Sequence, residues 1–163
     1  MASDKELVKR TLSGGNHHYG TLIQRYADYL FGLGMRLTAG NREFAEDISQ
    51  QAFLKSYAYP RSFDSNRSYK HWLTGIAVNC FVDMLKKEQK YTTIKTLDEP
   101  SYSPNLEGNT DFFNLIESLT DEEKILFTLK YIYEYQASEI GDFLNLKTGT
   151  VKSKLSRAME KLK

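Results

Sequence analysis

Apolar residues recur three or four apart along most of the chain, the spacing of one helix face. Asp4 to Thr11 reads as a short helix, ended by Ser13-Gly14-Gly15. From about His17 to Leu37, the residues Tyr19, Leu22, Ile23, Tyr26, Leu30 and Leu33 keep that rhythm, and Gly40-Asn41 closes the element. Asn41 to Tyr59 turns Phe44, Ala45, Ile48, Ala52 and Phe53 inward and Glu43, Glu46, Asp47, Gln50 and Gln51 outward. Tyr69 to Lys90 carries a wide apolar face (Trp72, Leu73, Ile76, Ala77, Cys80, Phe81, Met84, Leu85) and ends in Lys86, Lys87 and Lys90. The pattern predicts an all-α protein.

The rhythm fails between Tyr91 and Thr110, which holds Pro100, Pro104 and Gly108 and has a net charge of −2. Some twenty unpatterned residues sit poorly inside one small domain, so 91–110 is expected to be a flexible linker. Helical spacing resumes at Asp111 to Leu119. Thr120 and Glu123 then form a capping box, opening a helix to about Tyr133 with Ile125, Leu126, Leu129 and Ile132 inside. Gln136 to Leu144 is a short helix with Ala137, Ile140, Phe143 and Leu144 on one side. After the turn Asn145-Leu146-Lys147, a last helix runs from Thr148 with Val151, Leu155, Met159 and Leu162 as its dry stripe. Asn tolerates the left-handed conformation such a turn requires, and Leu146 plugs the angle between helices. Two helices on a short turn, the second one basic, predict a helix-turn-helix. Two small helical domains follow, 1–90 and 111–163.

Charge sharpens that picture. The whole chain carries only +1, so any hold on nucleic acid must come from local patches. From Lys147 onward there are six basic residues and one acid, Glu160. A narrow dry stripe beneath a cationic, hydroxyl-bearing face suits a DNA major groove, though a solvated surface helix has the same composition. The acidic and amide face of 41–59 reads equally as a solvated face. The segment Pro60 to Ser68 mixes Arg61 and Arg67 with Phe63, which fits either a connecting loop or a site for phosphates and a stacked base. The lysines at 86, 87 and 90 also offset a helix dipole.

Other chemistry is excluded or unsupported. His17 and His18 are adjacent, so on a helix they point about 100° apart and do not share a metal. One cysteine, Cys80, rules out an internal disulfide and reads as a small buried hydrophobe. There is no Gly-rich phosphate loop, no paired catalytic carboxylate motif and no metal spacing, so no enzyme, cofactor or small-molecule substrate is expected. No apolar run reaches the roughly 20 residues of a membrane span, and no signal peptide is evident. The expectation is a soluble, cytoplasmic protein.

Three blocks, in order, carry a resemblance to bacterial RNA polymerase sigma factors of the extracytoplasmic-function (ECF) type. The first is Ala45-Glu46-Asp47-Ile48-Ser49-Gln50-Gln51-Ala52-Phe53-Leu54-Lys55-Ser56-Tyr57. The second is Trp72-Leu73, Ile76-Ala77-Val78-Asn79, then Asp83, Leu85, Lys86 and Lys87. The third is Gly149-Thr150-Val151-Lys152-Ser153-Lys154-Leu155 with Arg157-Ala158. Gln136, Asn145 and Lys147 depart from the family's usual cap and turn residues. The resemblance implies a region 2 bundle at 1–90 and a region 4 helix-turn-helix at 111–163. Asp47, Gln50 and Gln51 would dock on core RNA polymerase. Arg61, Phe63, Asp64, Asn66 and Arg67, with Asn79, would capture an unstacked base of the −10 element, so recognition and melting become one step. Lys86 and Lys87 would hold neighbouring phosphates. Thr148, Thr150, Lys152, Ser153, Lys154, Ser156 and Arg157 would face the −35 element. Expected partners are core polymerase, promoter DNA and an anti-sigma factor. The alternative is a stand-alone helix-turn-helix regulator that binds duplex operator DNA without polymerase.

Overall fold

A computed structural model describes residues 2–59, 63–64, 66–92 and 110–163, with the side chains of 89–92 and 110 left aside. Arg61, the Lys90 side chain and most of the expected 91–110 linker therefore lie outside the described residues. Regular structure among the described residues is helical throughout.

The first half comprises α1 (Asp4–Leu12), α2 (Asn16–Leu37), α3 (Arg42–Ala58) and α4 (Tyr69–Thr92). Two of these helix starts have a side-chain cause. The Ser3 hydroxyl accepts from Glu6 N–H at 3.2 Å, and the Asn41 side chain accepts from Phe44 N–H at 3.1 Å, which satisfies orphan donors of α1 and α3. Leu22, Leu30, Leu33 and Leu37 of α2 meet Ile48 and Ala52 of α3 and Leu73, Ala77 and Val78 of α4, all essentially without solvent exposure. Phe44 is only half-buried, whereas Ser56, a polar residue on the same helix, is buried. Its hydroxyl donates to the Phe53 carbonyl at 2.8 Å and also meets the Tyr19 hydroxyl, so it enters the core with its bonding satisfied.

The second half comprises α5 (Thr110–Ile116), α6 (Asp121–Phe127), α7 (Ala137–Leu144) and α8 (Thr148–Lys161). The Thr120 capping box is present: Glu123 N–H donates to the Thr120 hydroxyl at 3.2 Å, and Thr120 N–H donates to the Glu123 carboxylate at 2.9 Å. The expected single helix to Tyr133 changes character, because Thr128–Ile132 winds as a π-helical turn. There the Tyr133 N–H reaches back to the Thr128 carbonyl at 3.2 Å, one residue further than an α-helix allows. The α8 stripe also differs from expectation. Val151, Leu155 and Ala158 are buried and Leu162 is half-buried, while Met159 is 37% exposed. At about 100° per residue, position 158 falls about 20° from 151 on the helix wheel, whereas 159 lies about 80° from it.

The two halves are packed together. One apolar cluster takes in Leu7 through Phe81 from the first and Ile125, Leu126, Leu129, Ile140, Phe143, Val151 and Leu155 from the second. A smaller cluster of Ile116, Leu119, Phe127 and Ala158 belongs to the second half alone.

Candidate nucleic-acid interface

The turn between α7 and α8 is built as the sequence implies. Asn145 sits in the left-handed region at φ +56°, and Leu146 N–H closes onto the Gly141 carbonyl at 2.9 Å. Gly141 is there because of close approach: a Cβ at this position would lie 2.5 Å from the Leu146 carbonyl oxygen. Glu139 accepts from Gln136 N–H at 2.9 Å, so α7 starts without a Ser or Thr cap. These contacts fix the angle at which α8 leaves.

On the outer side of α8, Lys147, Gly149, Thr150, Ser153, Lys154 and Arg157 line one open, shallow surface. Thr148, Lys152 and Ser156 are exposed beside it without lining it. Arg157 is exposed, whereas Ser153 donates to the Gly149 carbonyl at 3.0 Å. Lys154 pairs with the Glu122 carboxylate from α6. Lys161, further along α8, pairs with Glu123 at 2.6 Å. The Lys161 ammonium, together with the Thr120 N–H, holds the Glu123 carboxyl below its usual range.

The three groups expected in the first half lie on separate stretches. Asp47, Gln50 and Gln51 are all exposed on α3. Leu54, 61% exposed, extends that ridge and was missed by the sequence reading. Its signal was available: it follows Asp47 and Gln50 by seven and four residues, so it shares their side of the helix.

In the loop before α4, Asp64 accepts from Asn66 N–H at 2.9 Å and lies 3.8 Å from Arg67. This is a local turn that leaves Asn66 and Arg67 outermost. Phe63 is not a bare stacking platform. Its ring packs at 5.3 Å from Tyr69 and 5.4 Å from Trp72, so it anchors the loop to α4. Asn79 is exposed and donates from Nδ2 to the Gly75 carbonyl at 2.9 Å. Lys86 and Lys87 are exposed toward the end of α4. Burial pushes the Cys80 thiol up, as suits a packing residue. No group of three or more potential metal-ligating side chains exists among the described residues, and none of their helices is long and apolar enough to cross a membrane.

A set of residues joining the halves was not legible in the sequence. Thr74 Oγ1 donates to the Lys70 carbonyl at 2.7 Å, leaving lone pairs for the hydroxyls of Tyr29 at 2.6 Å and Tyr135 at 3.2 Å. Burial pushes the Tyr29 phenol up, which keeps it a donor at neutral pH. Arg36 donates to the Tyr133 hydroxyl at 2.8 Å. His71 Nδ1 lies 3.3 Å from the Glu139 carboxylate, and the Phe143 ring rests 4.7 Å from the His71 ring.

Comparison with known proteins covers both halves. Residues 22–91 match the family described as Sigma-70 region 2, and residues 111–162 match Sigma-70, region 4. The chain is 30% identical to the ECF RNA polymerase sigma factor SigW of Bacillus subtilis, over 98% of this chain and 94% of that one. It is 26% identical to SigM of the same organism, over 87% of this chain and 91% of that one. In fold it is similar to the sigma factor RpoE of Bartonella quintana, solved in complex with the anti-sigma factor NepR. That likeness has a TM-score of 0.70 at 20% identity and covers 88% of this chain and 93% of that one.

Proposed function

Because the chain belongs to the ECF RNA polymerase sigma factors, which act in transcription initiation, we propose that its exposed faces divide promoter recognition and polymerase docking as follows. Residues 1–90 form the unit that binds core RNA polymerase and handles the −10 element, 91–110 the connection, and 111–163 the unit that reads the −35 element. Asp47, Gln50 and Gln51, with Leu54 as an apolar anchor, dock on core enzyme. Asn66 and Arg67, with Arg61 and Asn79, take an unpaired base on the non-template strand, and Asp64 and Phe63 hold the loop in shape for them. Capturing a displaced base offsets part of the cost of unpairing it. Lys86 and Lys87 add phosphate contacts that are blind to sequence and sensitive to salt.

On α8, Arg157, Ser153, Thr150 and Lys154 address base edges and nearby backbone. Lys152, Ser156 and Thr148 flank them, and the amides of the first turn suit a phosphate. The protein has no chemistry of its own in this account and works in the compartment of the polymerase. An anti-sigma factor is the expected restraint, as the complex formed by the Bartonella protein illustrates.

The observation that carries the reading is the joint match to regions 2 and 4, in order, on one chain whose α8 presents an open cationic face. A stand-alone regulator is not favoured, because it gives the 22–91 match no task. The test is run-off transcription with core polymerase on genomic fragments, followed by start-site mapping. Arg157→Ala should weaken promoter binding by about 1–3 kcal/mol if the guanidinium makes a bidentate base contact. Undiminished transcription by that variant would remove Arg157 from the reading surface.

A further inference from the structure

We propose that Glu122, in the first turn of α6, is a positioning residue for the DNA surface of α8: it neutralises Lys154 and so limits how strongly that surface grips DNA of any sequence. This rests on the functional reading above. The Glu122 carboxylate pairs with the Lys154 ammonium, although the two lie 32 residues apart in the chain.

Packing brings them together. Ile125 and Leu126 of α6 share the main apolar cluster with Val151 and Leu155 of α8, and Phe127 and Ala158 sit in the smaller one. Lys154 and Lys161 are about two turns apart on α8 and so face α6 together, where Lys161 takes Glu123 at 2.6 Å. The two pairs differ in their surroundings. Glu123 is buried and closes the α6 cap, so Lys161 serves the fold. Glu122 is exposed, and Lys154 lines the open surface of α8 with Thr150, Ser153 and Arg157. On the helix Lys154 is one turn from both Thr150 and Arg157, so its ammonium stands where a phosphate or a base edge would arrive.

Neither stability nor the helix dipole accounts for the Glu122 pair. Ion pairs a third to a half exposed contribute little to folding, and Asp121 and Glu123 already supply negative charge at the start of α6. The effect falls on the outer surface. Among the described residues, the ion pairs of 147–163 engage Lys154, Lys161 and Lys163, which leaves Lys147, Lys152 and Arg157 to meet phosphates as free cations. Each free cation that meets a phosphate releases a counterion, whichever bases lie nearby. With Glu122 beside it, Lys154 still brings hydrogen-bond donors to DNA, but the pair brings no net charge. Unrelated sites greatly outnumber promoters, so a weaker sequence-blind hold shortens the time spent on them.

The experiment measures binding of reconstituted holoenzyme to a mapped promoter fragment, and to the same fragment with its −35 element scrambled, across a salt series. Glu122→Gln keeps the size of the side chain and removes its charge, and its melting temperature should stay close to that of the wild type. It should tighten binding to both fragments to a similar degree and steepen the plot of log affinity against log salt by about one. Its advantage over the wild type should therefore shrink about three- to fourfold between about 50 and about 200 mM salt. In a Lys154→Ala background, adding Glu122→Gln should leave the slope unchanged. Asp121→Asn, which removes a charge from the same turn without touching the pair, should leave it unchanged too. A wild-type slope for Glu122→Gln would overturn the inference. So would a steepening that survives Lys154→Ala, one that Asp121→Asn reproduces, or a tightening confined to the intact element. These outcomes, with a wild type that still discriminates the scrambled fragment, leave the reading of α8 in place. Indifference of the wild-type holoenzyme both to the scrambled element and to Arg157→Ala would overturn that reading and the inference with it.

Discussion

Glu123 shows how much one side chain decides. Its carboxylate closes the cap of α6 through Thr120 and reaches across to Lys161 at the end of α8, tying support helix to recognition helix. Because these contacts hold its folded pKa below the ordinary 4.5, the unfolded chain binds the extra proton as pH falls beneath that value. The stabilisation is complete above 4.5 and is lost as pH drops through the lowered folded value. Glu123→Gln should therefore flatten the acid limb of a plot of melting temperature against pH. An acid limb as steep as that of the wild type would mean that other carboxylates set it. The capping box was readable from Thr120 and Glu123 alone, since the motif is local. The partner Lys161 was not, because it lies 38 residues away and only the packing of α8 on α6 brings it near.

At the level of elements, helix positions and the turn between α7 and α8 were legible because periodicity and turn chemistry are written in adjacent residues. Asn145 announced its left-handed backbone, and Leu146 its position in the angle. Two features escaped. The π-helical turn at Thr128–Ile132 departs from α geometry without a Pro or Gly to mark it. Met159 and Ala158 exchanged roles because a spacing of four from Leu155 looked apolar enough, while the wheel position favoured the smaller neighbour. Gly141 is the sharpest test of how the turn is held. Its substitution by alanine forces a methyl to within 2.5 Å of a backbone oxygen, which cannot rotate away as a side chain would. Gly141→Ala should cost about 1–3 kcal/mol, the range for overpacking, despite alanine's better helix propensity. The check is a lowered urea midpoint with an unchanged slope.

For the molecule as a whole, the sequence led to an expectation of two bodies with a linker between them and held no sign of the contact between the halves. Tyr29, Arg36, Thr74, Tyr133 and Tyr135 lie tens of residues from their partners, and no local pattern pairs a tyrosine with a distant threonine. The exposure of Asp47 and Arg157 was legible from their charge, whereas the packing of the Phe63 ring on Tyr69 and Trp72 was not. Docking is the property that belongs to this scale. Asp47→Arg places a cation on the acidic and amide ridge of α3 and should weaken association with core polymerase roughly tenfold, about 1.4 kcal/mol. Co-elution with polymerase at wild-type levels would dismiss that ridge as the docking face.

The apolar cluster shared by both halves has a further consequence for the fate of the protein in a crowded solution. Any separation of the halves would bare the rings of Phe143 and Tyr135 to water on one piece and the flank of α4 on the other. Such newly wetted patches invite sticking between molecules and attract the quality-control machinery that watches for them. Unclaimed copies that stray into the parted form should thus be the first to clump or be degraded, and turnover becomes coupled to whether a larger assembly has taken the protein up.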